Sequence, residues 1–153
     1  MEDTACDTSH FQRWPLFLIS FERNAENKED YEKYRVGLAT QINDVVVSGK
    51  DKDGFYLMNN FMNGWNGVYA YDVDSGHGVD AYENSSSLFI GWWSLLVDEE
   101  ITEMYVETYN LLKDYDELPD ILTDSKTTRE RNEKILSVAW YKTILFCAIE
   151  MAG

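Results

Sequence analysis

Phe55-Tyr56-Leu57-Met58-Asn59-Asn60-Phe61-Met62-Asn63-Gly64-Trp65-Asn66-Gly67-Val68-Tyr69-Ala70-Tyr71 is the stretch on which the fold class turns. Two short apolar runs, 55–58 and 68–71, flank two Asn-Gly pairs. Asn-Gly favours the positive-φ turn that matches strand twist, and it is the strongest short-range hairpin signal. The spacing predicts a β-hairpin in which these two runs pair, followed by a loop through Ser75-Gly76-His77-Gly78. Seven of the nine glycines fall between Gly49 and Gly91, so helices are least expected there. Strands in the middle and helical patterns on both sides make the expected class α+β.

Working outward, the pattern becomes helical. Phe11, Trp14, Leu18 and Phe21 have helical spacing, and Pro15 suits a first turn. Tyr31, Tyr34, Leu38, Ile42 and Val45 then recur every three or four residues, with Asn27 as the expected N-cap and Gly49 as the stop. Beyond the glycine-rich middle, residues 86–97 with Trp92 and Trp93 read as a buried helix. Asp98 caps the next helix, Glu99 to Lys113. A short helical turn near Pro119 precedes a long terminal helix, capped by Ser125 or Thr127 and running to about Met151. Residues 135–149 are apolar nearly all round, so that helix is either central to the core or shared with a second subunit. The expected architecture is predominantly helical α+β: about five helices and one hairpin, with residues 1–10 a flexible tail and 11–153 a single globular domain.

Composition supports a folded chain. Hydrophobic residues make up 44% and aromatic residues 14%, whereas disordered chains pair high charge with few aromatics. Cys6 and Cys147 are too few for a disulfide framework, and Cys147 in its apolar run reads as a small buried hydrophobe. Met1-Glu2-Asp3-Thr4 lacks the basic and apolar regions of a signal peptide. The apolar run 135–149 is shorter than the ~20 residues that cross a bilayer. These features point to a soluble cytoplasmic protein without membrane contact.

Charge is the most informative property for function. The formal charge is −15 on 153 residues, and the sixty residues between Lys52 and Lys113 hold ten carboxylates, twelve aromatics and no Lys or Arg. Self-repulsion of this kind disfavours the compact state. On a helical wheel Glu99, Glu100, Glu103, Glu107 and Asp114 share an arc of about 100°, offset from an apolar arc holding Ile101, Met104, Tyr105, Thr108, Leu111 and Leu112. The acidity continues through Asp116, Glu117, Asp120 and Asp124. A solvated face is the plain alternative. Against it stands the absence of lysine, the simplest remedy for like-charge i,i+4 pairs such as Glu99–Glu103. A line of carboxylates coarsely imitates a phosphate backbone. Such a protein would not bind nucleic acid itself but would suit the basic cleft of a protein that does.

Residues 72–83 resemble an EF-hand loop over twelve residues only. Asp72, Asp74, Asp80 and Glu83 stand at positions 1, 3, 9 and 12, where a calcium loop needs oxygen ligands. The departures are at position 6, which wants Gly and holds His77, and at position 5, usually a ligand, which holds Gly76. An acidic loop after a hairpin is the preferred reading, so no metal or cofactor is expected.

His10 and His77 lack companions at zinc-site spacing, and neither a nucleophile elbow nor a Gly-rich phosphate loop is present. No catalytic residue is assigned and an enzyme is the least supported class.

In size and charge, though not in any motif, the chain looks like immunity proteins or antitoxins that neutralise nucleases, and like phage-encoded anti-restriction or anti-CRISPR inhibitors. The leading expectation is therefore an inhibitor that masks a basic, nucleic-acid-handling surface, with nucleic-acid mimicry as one route to it. Its partner-binding residues would be Glu99, Glu100, Glu103, Glu107, Asp114, Asp116, Glu117 and Asp120. Trp65, Trp92 and Trp93 are candidate anchors, with core positions expected for the last two. The alternatives are a calcium-responsive binding module and a structural homodimer joined through the terminal helix.

Overall fold

The computed structural model describes residues 5–67, 69–72, 77–123 and 137–152, with only the backbone at 69–72, 77 and 78. Among these the fold is predominantly helical α+β. Five α-helices are α1 (Thr8–Phe11), α2 (Trp14–Asn24), α3 (Lys28–Gln41), α4 (Glu99–Leu112) and α5 (Val138–Ala152). The strands are β1 (Val47–Lys50), β2 (Tyr56–Met58), β3 (Tyr69–Asp72) and β4 (His77–Val79). One apolar core, with Trp93, Tyr105, Tyr141, Phe55 and Phe89 among its largest members, draws on α4, α5, β2 and the segment before α4.

The glycine-rich middle holds hairpins, but the strands pair otherwise than the Asn-Gly signals suggest. β2 pairs antiparallel with β1, and β3 with β4. The β1–β2 turn is made by Asp51-Lys52-Asp53-Gly54, where the Asp51 carboxylate accepts the amides of Asp53 and Phe55, both at 2.9 Å. Asn63-Gly64 does form a tight turn, with the Gly64 amide on Phe61 O at 3.0 Å, but it folds Trp65 back onto Phe61. A side chain that closes its own turn competes well against a more distant partner.

β1 shortens the preceding helix. α3 ends at Gln41 in a π-helical turn, Ile42–Val46, and Gly49 lies inside β1 at φ +124° instead of stopping a helix. The β-branched run Val45-Val46-Val47 favours that change to extended backbone. Asn27 stands at the N-cap of α3 as expected, its carbonyl accepting the Asp30 amide at 3.1 Å, but its side chain makes no capping bond and donates instead to the Asp30 carboxylate at 3.0 Å.

Residues 86–97 are not one helix. They form two 3₁₀ segments, Glu83–Ile90 and Trp92–Leu96, broken by Gly91 at φ +86°. A Cβ at Gly91 would lie 3.2 Å from both the Ala148 Cβ and an Ile144 methyl. The break is what lets this segment press against α5.

The N-terminal segment from Cys6 is part of the domain and not a tail. Thr8 is fully buried, its amide donating to Asn60 O and its hydroxyl to Asn59 O. Asn60, also buried, donates to Asp80 O and accepts the Asn84 amide, while Asn66 accepts the Asn60 and Tyr82 amides. These short amide side chains satisfy backbone groups that non-repetitive chain leaves unpaired.

α5 buries Tyr141, Leu145 and Ala148 but exposes Trp140, Phe146, Cys147 and Met151. Cys147 is therefore a surface thiol and not a buried one. The expected caps of this helix, Ser125 and Thr127, lie outside the described residues.

Candidate functional site

α4 carries the predicted acidic face. Asp98 caps it, its carboxylate accepting the Ile101 amide at 3.1 Å and the Asn43 amide group at 3.0 Å. Arg35 adds a hydrogen bond to Leu96 O and pairs with Glu22 at 3.3 Å, so α2 and α3 both hold the start of α4. Ile101, Met104, Tyr105, Thr108 and Leu112 are buried, which turns Glu99, Glu100, Glu103 and Glu107 toward water. Tyr105, wholly buried, has its hydroxyl ionisation pushed far up by burial.

The helix stops at Leu112, so Asp114 does not extend the stripe as a further turn. The stripe on the helix spans Glu99 to Glu107, about 12 Å at 1.5 Å per residue. Asp114, Asp116 and Glu117 follow on the exposed loop, and Lys142 of α5 ties that loop down, donating to Lys113 O and Tyr115 O at 2.8 and 2.9 Å.

The candidate residues fall into two groups that the sequence does not separate. Glu107 accepts from Lys50 at 2.6 Å and from the Tyr56 hydroxyl at 2.5 Å. Those bonds, the lysine's first, hold its carboxyl below the usual range. Asp120 pairs with Lys52 at 2.7 Å, with the same direction of shift and the same kind of cause. Lys50 thus neutralises in space one carboxylate of the stretch that lacks lysine in sequence, and Lys52 neutralises one of the acids beyond it. Glu99, Glu100, Glu103, Asp114, Asp116 and Glu117 are exposed and form no ion pair among the described residues.

Beside Asp120 lies a cleft of about 340 Å³, lined by Asp51, Lys52, Asp80, Tyr82, Glu83 and Asp120. Burial, then the carboxylates of Asp53, Asp51 and Asp120, push the Tyr115 hydroxyl ionisation up, against the pull of Lys52. Asp51, Asp53, Asp80 and Glu83 therefore extend the acidic surface well beyond α4. The signal available in the sequence was the Asp51-Lys52-Asp53-Gly54 turn. Only the fold brings it to Asp120.

Of the calcium-like loop, Asp80 and Glu83 line this cleft, and Glu83 accepts the Asp80 amide at 2.8 Å. Asp74 and the side chain of Asp72 lie outside the described residues. Among the described residues no three carboxylate, His or Cys groups are placed to hold a metal. Trp93 is fully buried, Trp92 partly so, and Trp65 is 48% exposed against Phe61.

Charge is segregated between elements. Residues 47–123 hold fifteen carboxylates against three lysines, a net of −12 out of −15. Residues 11–41, which make α2 and α3, hold five acids and five bases. That neutral hairpin presents what the sequence reading missed, an open aromatic groove of about 380 Å³ between α2 and α3. Among the described residues no helix is long and apolar enough to cross a membrane.

No family model matches the chain, and neither a curated protein nor a solved structure matches it.

Proposed function

We propose that this protein is an inhibitor that docks its acidic surface onto the basic, nucleic-acid-handling surface of another protein, in the manner of immunity proteins, antitoxins or phage anti-defence proteins. The observation that carries the reading is the segregation of charge: a net of −12 on residues 47–123, with six exposed carboxylates on α4 and the loop after it that form no ion pair among the described residues. A surface that had only to be soluble would intersperse both signs. Here, among the described residues of this surface, lysines pair with Glu107 and Asp120 alone, at the edge nearest β1. A concentrated field of one sign steers a cationic partner and raises its association rate. The cleft where Asp51, Asp80 and Glu83 stand beside the Lys52–Asp120 pair is a place for a lysine or arginine side chain of that partner.

On this reading binding, and not catalysis, is the activity, and no cofactor is used. The exposed thiols of Cys6 and Cys147 suit a reducing, cytoplasmic setting.

The test is capture of partners from extracts of the source cell and of its viruses by the immobilised protein, identified by mass spectrometry. Nucleic-acid-binding proteins should be retained, released by salt, and lost when Glu99, Glu100 and Glu103 are all replaced by Gln. Retention of neutral or acidic proteins alone, or capture untouched by the triple replacement, would overturn the proposal.

A further inference from the structure

The aromatic groove lies between α2 and α3, on a part of the chain that carries no net charge. Its rings form two ladders. Phe11 stacks on Trp14 at 5.5 Å and Trp14 meets Phe17 edge-on at 6.0 Å. Phe21 stacks on Tyr31 at 5.6 Å and Tyr31 meets Tyr34 at 6.2 Å. Trp14, Phe17, Phe21 and Tyr34 remain 45%, 48%, 49% and 63% exposed. At roughly 200 Å² for an aromatic side chain these four leave about 400 Å² of apolar surface in water. That is about half of the ~800 Å² that each partner contributes to a standard interface.

Charge selects the occupant. Two copies of a chain carrying −15 repel one another, and association is least opposed where each presents no net charge. Residues 11–41, with five acids and five bases, are that place. A basic partner, in contrast, is drawn to the surface formed by residues 47–123. The hairpin also carries both a groove and exposed apolar side chains beside it. Trp14, Leu18 and Phe21 line the groove, while Leu16 and Phe17, 47% and 48% exposed, stand on the same helix outside it. A two-fold axis places the same patch of each copy against the other, so this ridge of one copy meets the groove of its twin.

We propose that the α2–α3 hairpin is the homodimer interface of this protein, the aromatic groove of one copy receiving Leu16 and Phe17 of the second, with the acidic surfaces left free. The proposal does not depend on the inhibitor reading.

Sedimentation velocity of the full chain over a wide concentration range tests it. A reversible dimer is expected, strengthened by salt because screening weakens the residual repulsion between copies. Phe17→Lys combined with Tyr34→Glu leaves net charge unchanged and should weaken dimerisation by about tenfold or more, with far-UV circular dichroism unaltered. Hydroxyl-radical footprinting of the unmodified protein gives a readout that needs no variant: Trp14, Phe17 and Tyr34 should become protected on concentration. A monomer at every concentration would overturn the proposal. So would a dimer that protects Trp140 and Phe146 of α5 instead.

Discussion

Glu103 and Glu107 sit one helical turn apart on the same acidic face, yet replacing each by Gln should change stability in opposite directions. Glu103 has no ion-pair partner among the described residues and is flanked at i−4 and i+4 by Glu99 and Glu107. Each like-charge pair costs about 0.2–0.5 kcal/mol, so Glu103→Gln should stabilise the fold by roughly 0.4–1 kcal/mol. Glu107→Gln removes one of those repulsions but also the 2.6 Å pair to Lys50 and the charge on the acceptor of the Tyr56 hydroxyl. The paired side chains of Lys50 and Glu107 are 42% and 49% exposed, so solvent screening limits the ion pair to at most about 1 kcal/mol. The hydrogen bond to a charged acceptor adds a comparable amount. After the relieved repulsion is subtracted, Glu107→Gln should destabilise by about 0.5–1 kcal/mol. Urea, being uncharged, is the appropriate denaturant. With a slope of ~2 kcal/mol/M the two variants should differ in midpoint by roughly 0.5–1 M. The gap should narrow in high salt. If Glu107→Gln proves as stable as Glu103→Gln, Lys50 does not neutralise this edge and the division into paired and unpaired carboxylates is wrong.

The same pair has a pH signature. Because Glu107 titrates below its usual range when folded, its stabilising contribution is complete above the ordinary glutamate value and is lost as pH falls through the lowered one. The stability difference between the parent and Glu107→Gln should therefore be flat above about pH 5 and shrink below about pH 4, measured by urea titrations at each pH. A difference that grows on acidification would contradict the assignment. At Gly91, alanine meets both a positive φ and two α5 side-chain carbons at 3.2 Å. The expected cost is about 2–4 kcal/mol from strain and overpacking together, read as a lowered urea midpoint. A neutral Gly91→Ala would mean that the segment before α4 does not rest on α5.

What could be read from the residues alone was local. Pro15 and the spacing of Trp14, Leu18 and Phe21 gave α2, and Asp98 with the two arcs of α4 gave that helix, its cap and its buried face. Capping and amphipathic spacing act within about one or two turns, so a short window of sequence contains the physics that decides them. The hairpin signal was legible too, but not its pairing. Asn63-Gly64 and the Asp51–Gly54 turn each specify a reversal of the chain, and neither says which strand lies opposite.

The amino-acid order by itself determined that this chain would be a predominantly helical α+β protein, rich in aromatic residues and with a large, one-signed charge. The tertiary structure decided which charges remain uncompensated and which rings remain in water. Coulomb interaction depends on distance in space, so Lys50 and Lys52, placed by β1 and its turn, neutralise Glu107 and Asp120 from 57 and 68 residues away. Burial depends on what packs against a face, so the apolar run on α2 became an open groove when α3 covered only one side of it. Both features arise from packing between distant segments, which no local pattern encodes.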